Sequence, residues 1–104
     1  MKVLLLNGSP RAAGCTYTAL NEIARVLETE NVETEILQCG NKHVRDCIAC
    51  GGCVGKGKCV FDDDIANTLI EKMQTADGFI VGTPVYYAHP TGRVLSILDR
   101  AFYA

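Results

Sequence analysis

Residues 2–18 read KVLLLNGSPRAAGCTYT and contain an apolar run, a loop of small residues and the start of a helical pattern. Val3–Leu6 is apolar at every position and stops at Asn7 and Gly8, two residues that favour turns. A short run that is apolar on both faces is typical of a central strand in a parallel sheet. A helical pattern from Thr16 to Thr29 follows, so this stretch predicts a strand, a loop and a helix in succession.

The loop between this strand and this helix predicts an anion site. Free backbone N–H groups and the positive end of the helix dipole point into such a loop. Ser9, Thr16 and Thr18 add hydroxyl donors, and Arg11 adds a charged guanidinium. On this loop alone, an ordinary connection between a strand and a helix that binds nothing remains the alternative.

The rest of the chain continues the alternation of strands and helices. Val32–Leu37 alternates apolar and polar residues, which predicts a strand at a sheet edge, and Phe79–Val81 predicts a third, buried strand. Asp62–Asp64 is expected to open a second helix, with any of the three aspartates as its N-cap. A third helix is expected over Thr91–Tyr103, and its inward residues are predicted to be Val94, Leu95, Leu98 and Phe102.

These elements predict an open parallel sheet with the strand order 2-1-3. Parallel strands joined by helices use right-handed crossovers, and ligands of such sheets bind beyond the carboxyl ends of the strands at the topological switch point. In this order the switch point lies between the first and third strands. The loops Asn7–Cys15 and Thr83–Pro90 meet there. An anion site beside a loop with two tyrosines and two prolines suits a planar cofactor with a phosphorylated tail.

A long loop, Cys39–Lys58, has neither helical nor strand periodicity, and loops of this length are usually functional or disordered. Four cysteines with the spacing Cys-x2-Cys-x2-Cys-x5-Cys are candidate metal ligands: Cys47, Cys50, Cys53 and Cys59. An iron–sulfur cluster, a zinc ion and free thiols in a structural loop are three open interpretations. Cys15 and Cys39 lie outside the pattern and are expected to be ordinary buried thiols.

Composition limits the class of protein. The chain has 104 residues and a formal net charge of −2, which suits one small domain over 1–104 and gives no basic footprint for nucleic acid. No apolar run approaches the ~20 residues that a membrane span requires. We therefore expect a cytoplasmic protein. Because that compartment is reducing, the six cysteines are interpreted as metal or redox groups rather than disulfides.

Two stretches resemble the flavodoxin-like NAD(P)H-dependent FMN reductases. Gly8–Thr16 resembles their loop for the FMN phosphate, although Cys15 stands where that family usually has Asn, and Gly82–Tyr87 resembles their loop for the isoalloxazine ring. The resemblance implies that Ser9, Arg11, Thr16, Tyr17 and Thr18 hold the phosphate. It implies that the ring is lined by Pro84, Val85, Tyr86 and Tyr87.

The segment from Cys47 to Cys59, called the cysteine loop below, resembles the compact motif of the iron–sulfur flavoproteins, in which four cysteines hold a four-iron four-sulfur cluster near the flavin. The resemblance thus implies a three-layer flavodoxin-like α/β domain that lacks the last two strands of the family fold. It implies an FMN-dependent oxidoreductase or electron-transfer flavoprotein, with NAD(P)H or another electron donor. No catalytic side chain is named, because the cofactor carries the reaction.

Two alternatives stay open at this point: an iron–sulfur electron carrier without flavin, and a cofactor-free α/β assembly module. In the predicted order, the third strand also leaves an apolar edge without a charge or proline to protect it. Edges of that kind pair with another strand or are covered. We therefore expect a homo-oligomer, a dimer or higher.

Overall fold

The computed structural model describes residues 1–104 and contains a parallel sheet of three strands. The strands are β1 (Lys2–Asn7), β2 (Glu33–Gln38) and β3 (Gly78–Gly82), and their order is β2-β1-β3. In the register, Leu5 of β1 lies opposite Ile36 and Ile80. The predicted order 2-1-3 and the edge position of the second strand are thus confirmed.

Three helices cover the two faces of this sheet: α1 (Cys15–Thr29), α2 (Ala66–Thr75) and α3 (Gly92–Tyr103). Side chains of a strand alternate between its faces. Val3 and Leu5 accordingly pack with Leu20 of α1 on one side of the sheet. On the other side, Leu4 and Leu6 pack with one residue each from α2 and α3, Leu69 and Ile97. Each face of β1 is therefore buried, which explains its continuous apolar run.

The second helix begins later than the sequence predicts. Asp62–Asp64 precede α2, whose N-cap position is occupied by Ile65. The Asp64 Oδ1 atom accepts a hydrogen bond of 3.1 Å from the Ala66 N–H group, but its other oxygen pairs with the buried side chain of Arg100. The expectation of an N-cap among the aspartates was wrong, because α2 begins at Ala66 and Asp64 lies one residue before the N-cap position.

The inward face of α3 also differs from the prediction. Leu95 and Phe102 are 40% and 66% exposed, whereas Val94, Ile97 and Arg100 are buried. The buried residues recur every third position along α3, and Ile97 among them packs in the core with Leu69 of α2 and with Leu4 and Leu6 of the sheet. Leu95 and Phe102 fall beside this stripe, so their assignment to the core was wrong.

The loop after β3 contains a short hairpin that the sequence analysis did not predict. Its strands are β4 (Val85–Tyr86) and β5 (His89–Pro90), which pair antiparallel. The two turn residues, Tyr87 and Ala88, have φ angles of 52° and 63°. Positive φ at both central residues is the conformation that a tight two-residue hairpin requires, and it is uncommon in residues other than glycine.

Candidate functional site

The loop after β1 and the loop after β3 contact each other at the carboxyl end of the sheet. The Gly8 N–H group donates a 2.7 Å hydrogen bond to the Gly82 carbonyl oxygen. A Cβ atom on Gly8 would lie only 2.1 Å from Cγ2 of Val94. Glycine is therefore required for this close approach, and the two loops form one continuous surface.

The N-terminus of α1 opens onto this surface without a cap of its own. Its N-cap residue is Gly14, which has no side chain to accept a hydrogen bond, and its first turn contains no acidic residue. The first N–H groups of the helix thus have no side-chain acceptor. Uncapped N–H groups at the positive end of a helix dipole bind anions.

The five predicted anion-binding residues lie in this loop and in the first turn of α1, and they differ in burial and in hydrogen bonding. Ser9 is buried, and its Oγ atom accepts a 3.1 Å hydrogen bond from the Arg11 N–H group. The side chain of Arg11 is exposed, and Thr16 and Tyr17 are half-buried in the first turn of α1. The Thr18 hydroxyl group instead donates to the Gly14 carbonyl oxygen at 3.1 Å, so its hydrogen already has a partner.

Two residues that the sequence analysis missed, Asn7 and Gln38, hold the backbone of this loop by hydrogen bonds. Asn7 is fully buried, and its Oδ1 atom accepts the Ser9 N–H group at 3.1 Å. Its Nδ2 atom donates to Oε1 of Gln38 at 2.5 Å, and Nε2 of Gln38 donates to the Ser9 carbonyl oxygen at 2.7 Å. The available signal was a polar residue at the end of each of two paired strands. This network fixes the backbone of the anion loop.

The hairpin beside the anion loop presents flat and apolar side chains to solvent. Val85 and Tyr87 are 73% and 96% exposed, Tyr86 is also exposed, and Pro84 is half-buried. Thr91 fixes the hairpin to α3, because its N–H group donates to Oγ1 of Thr83 at 3.2 Å. The four predicted ring-lining residues thus lie together on the loop that contacts the anion site.

One small cavity of about 20 Å³ lies beside the cysteine loop, and the residues that line it include Cys47, Cys50, Cys53, Cys59 and Arg100. Gly51 and Gly55 adopt positive φ angles of 74° and 72°, which allow the loop to turn tightly. No three Cys, His, Asp or Glu side chains lie close enough together to hold a metal ion. The four cysteines therefore match a thiolate site in residue type and line a common cavity, and the loop would have to rearrange to bring their sulfur atoms around a bound group.

The two remaining cysteines have different environments. Cys39 is buried as expected, and burial raises the pKa of its thiol, an effect that the charge of Arg93 only partly offsets. Cys15 is exposed, so its expected burial was wrong. It is the first residue of α1 and lies at the open mouth of the anion loop, away from the core.

Comparison with known proteins identifies the family. A sequence profile of the NADPH-dependent FMN reductases matches residues 1–104. The chain belongs to this family. The predicted flavodoxin-like fold is likewise confirmed by the likeness to a solved flavone reductase. That structure superposes with a TM-score of 0.74 at 25% identity, over 96% of this chain and 29% of the reductase.

Curated relatives of this FMN reductase family member include iron–sulfur flavoproteins of two archaea. The chain is 36% identical to one from Methanocaldococcus jannaschii, over 97% of this chain and 52% of the relative. It is 39% identical to one from Archaeoglobus fulgidus, over 97% of this chain and 49% of the relative. The chain is 31% identical to the NADPH-dependent FMN reductase of Escherichia coli, over 95% of this chain and 47% of that reductase.

The chain thus spans about half the length of the curated relatives that it matches. A solved RosB structure adds support for the fold alone, with a TM-score of 0.67 at 21% identity over 100% of this chain and 43% of RosB.

No helix of this FMN reductase family member has the length and apolar character needed to cross a membrane.

Proposed function

We propose that this chain binds FMN and acts as an FMN-dependent oxidoreductase that takes electrons from NAD(P)H. One observation carries the proposal: the hydrogen bond between Gly8 and Gly82 joins an uncapped helix N-terminus to a hairpin of exposed tyrosines. The first element suits the phosphate of FMN and the second suits its ring. Membership in the NADPH-dependent FMN reductase family supports the same cofactor and donor.

In this proposal the phosphate group lies against the first turn of α1. Ser9 and Thr16 provide hydroxyl groups, Arg11 provides a charged donor, and Tyr17 contributes a backbone N–H group without a side-chain acceptor. Thr18 contributes indirectly, because its hydroxyl group holds the Gly14 carbonyl oxygen at the helix start. The bonds from Asn7 and Gln38 keep the loop in place before the ligand arrives.

The ring is proposed to lie on the hairpin, against Pro84, Val85, Tyr86 and Tyr87. These side chains expose apolar surface that a flavin would cover, which favours binding by removing that surface from water. When bound, FMN supplies the transfer of a hydride and of electrons. The residues of this chain bind and orient the ring, and none of them needs to act as an acid or a base.

The cysteine loop is proposed to hold a four-iron four-sulfur cluster through Cys47, Cys50, Cys53 and Cys59. The shared cavity and the four thiol donors support this assignment. Relatives named iron–sulfur flavoproteins, at 36% and 39% identity, support it independently of the geometry. Zinc in the same loop, or free thiols, are the outcomes that metal analysis would distinguish.

Titration of the purified chain with FMN tests the flavin site. We expect Tyr86→Ala to weaken binding at least severalfold, because the ring loses an apolar contact. The matched control is Phe102→Ala, a similarly exposed aromatic residue near the C-terminal end of α3. Equal effects of the two substitutions would contradict the hairpin assignment.

Anaerobic addition of NADPH to the FMN-loaded chain then tests the reaction, with loss of the flavin absorbance as the expected result. A chain that binds iron and sulfide but no flavin would be an electron carrier of another kind. A chain that binds neither group would favour the cofactor-free assembly module.

A further inference from the structure

The cysteine loop leaves the body of the protein at Arg45 and returns to it at Phe61, and one buried side chain holds both points. Nη1 of Arg100 donates to the Arg45 carbonyl oxygen at 3.0 Å, and its Nη2 donates to the Phe61 carbonyl oxygen at 2.8 Å. Arg100 lies in the last turn of α3. A helix of the core thus closes the neck of the loop that contains the four cysteines.

Asp64, which carries the charge opposite to that of Arg100, also contacts the neck of the loop. The Asp64 carboxylate pairs with Nη1 of Arg100 and accepts the Arg45 N–H group at 2.9 Å. Both charged side chains are 1% exposed. Taking an ion pair out of water is costly, so such a pair persists only with good geometry and further hydrogen bonds. Here the further bonds all go to the two ends of the cysteine loop or to the start of α2.

The Arg100 side chain also has one hydrogen-bond donor without a partner. Its Nε atom is the only buried side-chain nitrogen or oxygen without a hydrogen-bond partner. Arg100 lines the same cavity as the four cysteines. A buried donor without an acceptor is costly, and native structures rarely keep one without a reason.

Two hydrogen bonds from α2 hold the backbone of Cys59, which lines the same cavity as Arg100. The side chain of Asn67 in α2 accepts the Cys59 N–H group at 2.8 Å and donates to the Cys59 carbonyl oxygen at 2.8 Å.

We propose that Arg100 and Asp64 are positioning residues for the four-cysteine site. They close the neck of the cysteine loop, and the free Nε–H group of Arg100 is the hydrogen-bond donor to a sulfur atom bound in the cavity. The first part concerns the loop itself, whereas the second rests on the proposed cluster. Hydrogen bonds to sulfur ligands and fixed nearby charges are the means by which a protein tunes a cluster.

Arg100→Lys is the decisive variant, because lysine keeps the charge beside Asp64 but lacks the planar fork that reaches two carbonyl groups. The matched control is Arg25→Lys, in which an exposed arginine of α1 loses its contact with Glu22. Hydrogen–deuterium exchange of residues 46–60 is measured on metal-free protein. We expect roughly tenfold faster exchange in Arg100→Lys, with β1 unchanged, and no change in Arg25→Lys. Exchange equal to that of the wild type would overturn the neck assignment.

Anaerobic reconstitution with iron and sulfide gives the second readout. We expect Arg100→Lys to retain less than half of the wild-type iron and sulfide, and to shift the absorption spectrum and reduction potential of what remains. Unchanged content, spectrum and potential would overturn the role of the Nε–H group. A wild type that takes up no iron and sulfide would overturn both the proposed cluster and the role of the Nε–H group. The hydrogen–deuterium exchange measurement would still test whether Arg100 closes the neck of the loop. If Arg100→Lys fails to fold, the uncharged double variant Asp64→Asn, Arg100→Gln replaces it in both measurements.

Discussion

The backbone of Gly8 and the backbone of Gly82 are joined by a hydrogen bond of 2.7 Å between the first amide and the second carbonyl group. This contact fixes the anion loop relative to the loop that contains the hairpin. Since α3 starts shortly after the hairpin and carries Arg100 in its last turn, the same helix connects the proposed flavin surface with the cysteine loop. The two candidate sites of the chain thus share one structural support.

Gly8→Ala tests the close approach at this contact. The new Cβ atom would meet Val94 at 2.1 Å and the Gly82 carbonyl oxygen at 2.7 Å, so backbone or side chains must shift. We expect a loss of about 1–3 kcal/mol in the free energy of unfolding, measured by urea denaturation. Gly92→Ala is the control, because nothing lies within 4 Å of its added Cβ atom. A difference of less than about 0.5 kcal/mol between the two variants would contradict the packing argument.

The four cysteines of the loop are expected to act as a set. Replacing any one of Cys47, Cys50, Cys53 and Cys59 with Ser should remove most of the bound metal, because an incomplete thiolate set does not close the site. Cys15→Ser and Cys39→Ser should keep the metal, since neither residue lines the shared cavity. Iron and sulfide analysis after anaerobic purification provides the measurement. Equal loss in Cys39→Ser would show that the ligand set is wrong.

The buried ion pair predicts how stability depends on pH. Burial tends to raise the pKa of Asp64, but hydrogen bonds from Arg100 and from the Arg45 and Ala66 N–H groups outweigh it, so the pKa is lowered. Because the folded state has the lower pKa, the stabilisation is present above the unfolded value of about 3.9 and is lost as the pH falls through the folded value.

We therefore expect the free energy of unfolding to fall below about pH 4 in the wild type. Asp64→Asn should lose about 3–5 kcal/mol at neutral pH, because it leaves Arg100 buried and unpaired, and should show a weaker acid dependence. Denaturant titrations of both proteins at several pH values measure this difference. Parallel curves for the two proteins would exclude Asp64 as a source of the acid sensitivity.

The edge strand β3 predicts self-association. It pairs with β1 on one side only, and Phe79, Ile80 and Val81 are half-buried without a protecting charge or proline. We propose a homodimer that covers this edge, because closed two-fold assemblies are the commonest way to bury such a surface. Light scattering at micromolar concentration should give about twice the chain mass of 11.2 kDa. A well-folded monomer at that concentration would refute the proposal.

The sequence was sufficient for the strand order of the sheet and for the meeting of two loops at its carboxyl end. The continuous apolar run of β1 and the alternating pattern of β2 determine which strand is central, and the strand order then brings two known loops together. The hairpin was missed because Tyr87 and Ala88 adopt positive φ without the Asn-Gly or Asp-Gly pair that usually marks such a turn.

Arg100 was missed for a different reason. Its burial depends on Asp64, 36 residues earlier, and on carbonyl groups at the two ends of a loop without periodicity. The sequence analysis assigned Phe102 to the core instead, because the apolar pattern along a helix does not register a buried arginine. The spacing of Val94, Ile97 and Arg100 at every third position was the one available hint.

The central claim is that FMN binds with its phosphate group at the N-terminus of α1. Isothermal titration of the wild type and Arg11→Ala with FMN and with riboflavin, which lacks the phosphate, tests it most directly, with Arg25→Ala as the control. We predict that the wild type binds FMN roughly tenfold or more tighter than riboflavin, and that Arg11→Ala loses about 1.5–3 kcal/mol of FMN affinity but little riboflavin affinity. Equal affinities of the wild type for FMN and riboflavin, or an unchanged FMN affinity in Arg11→Ala, would contradict this account.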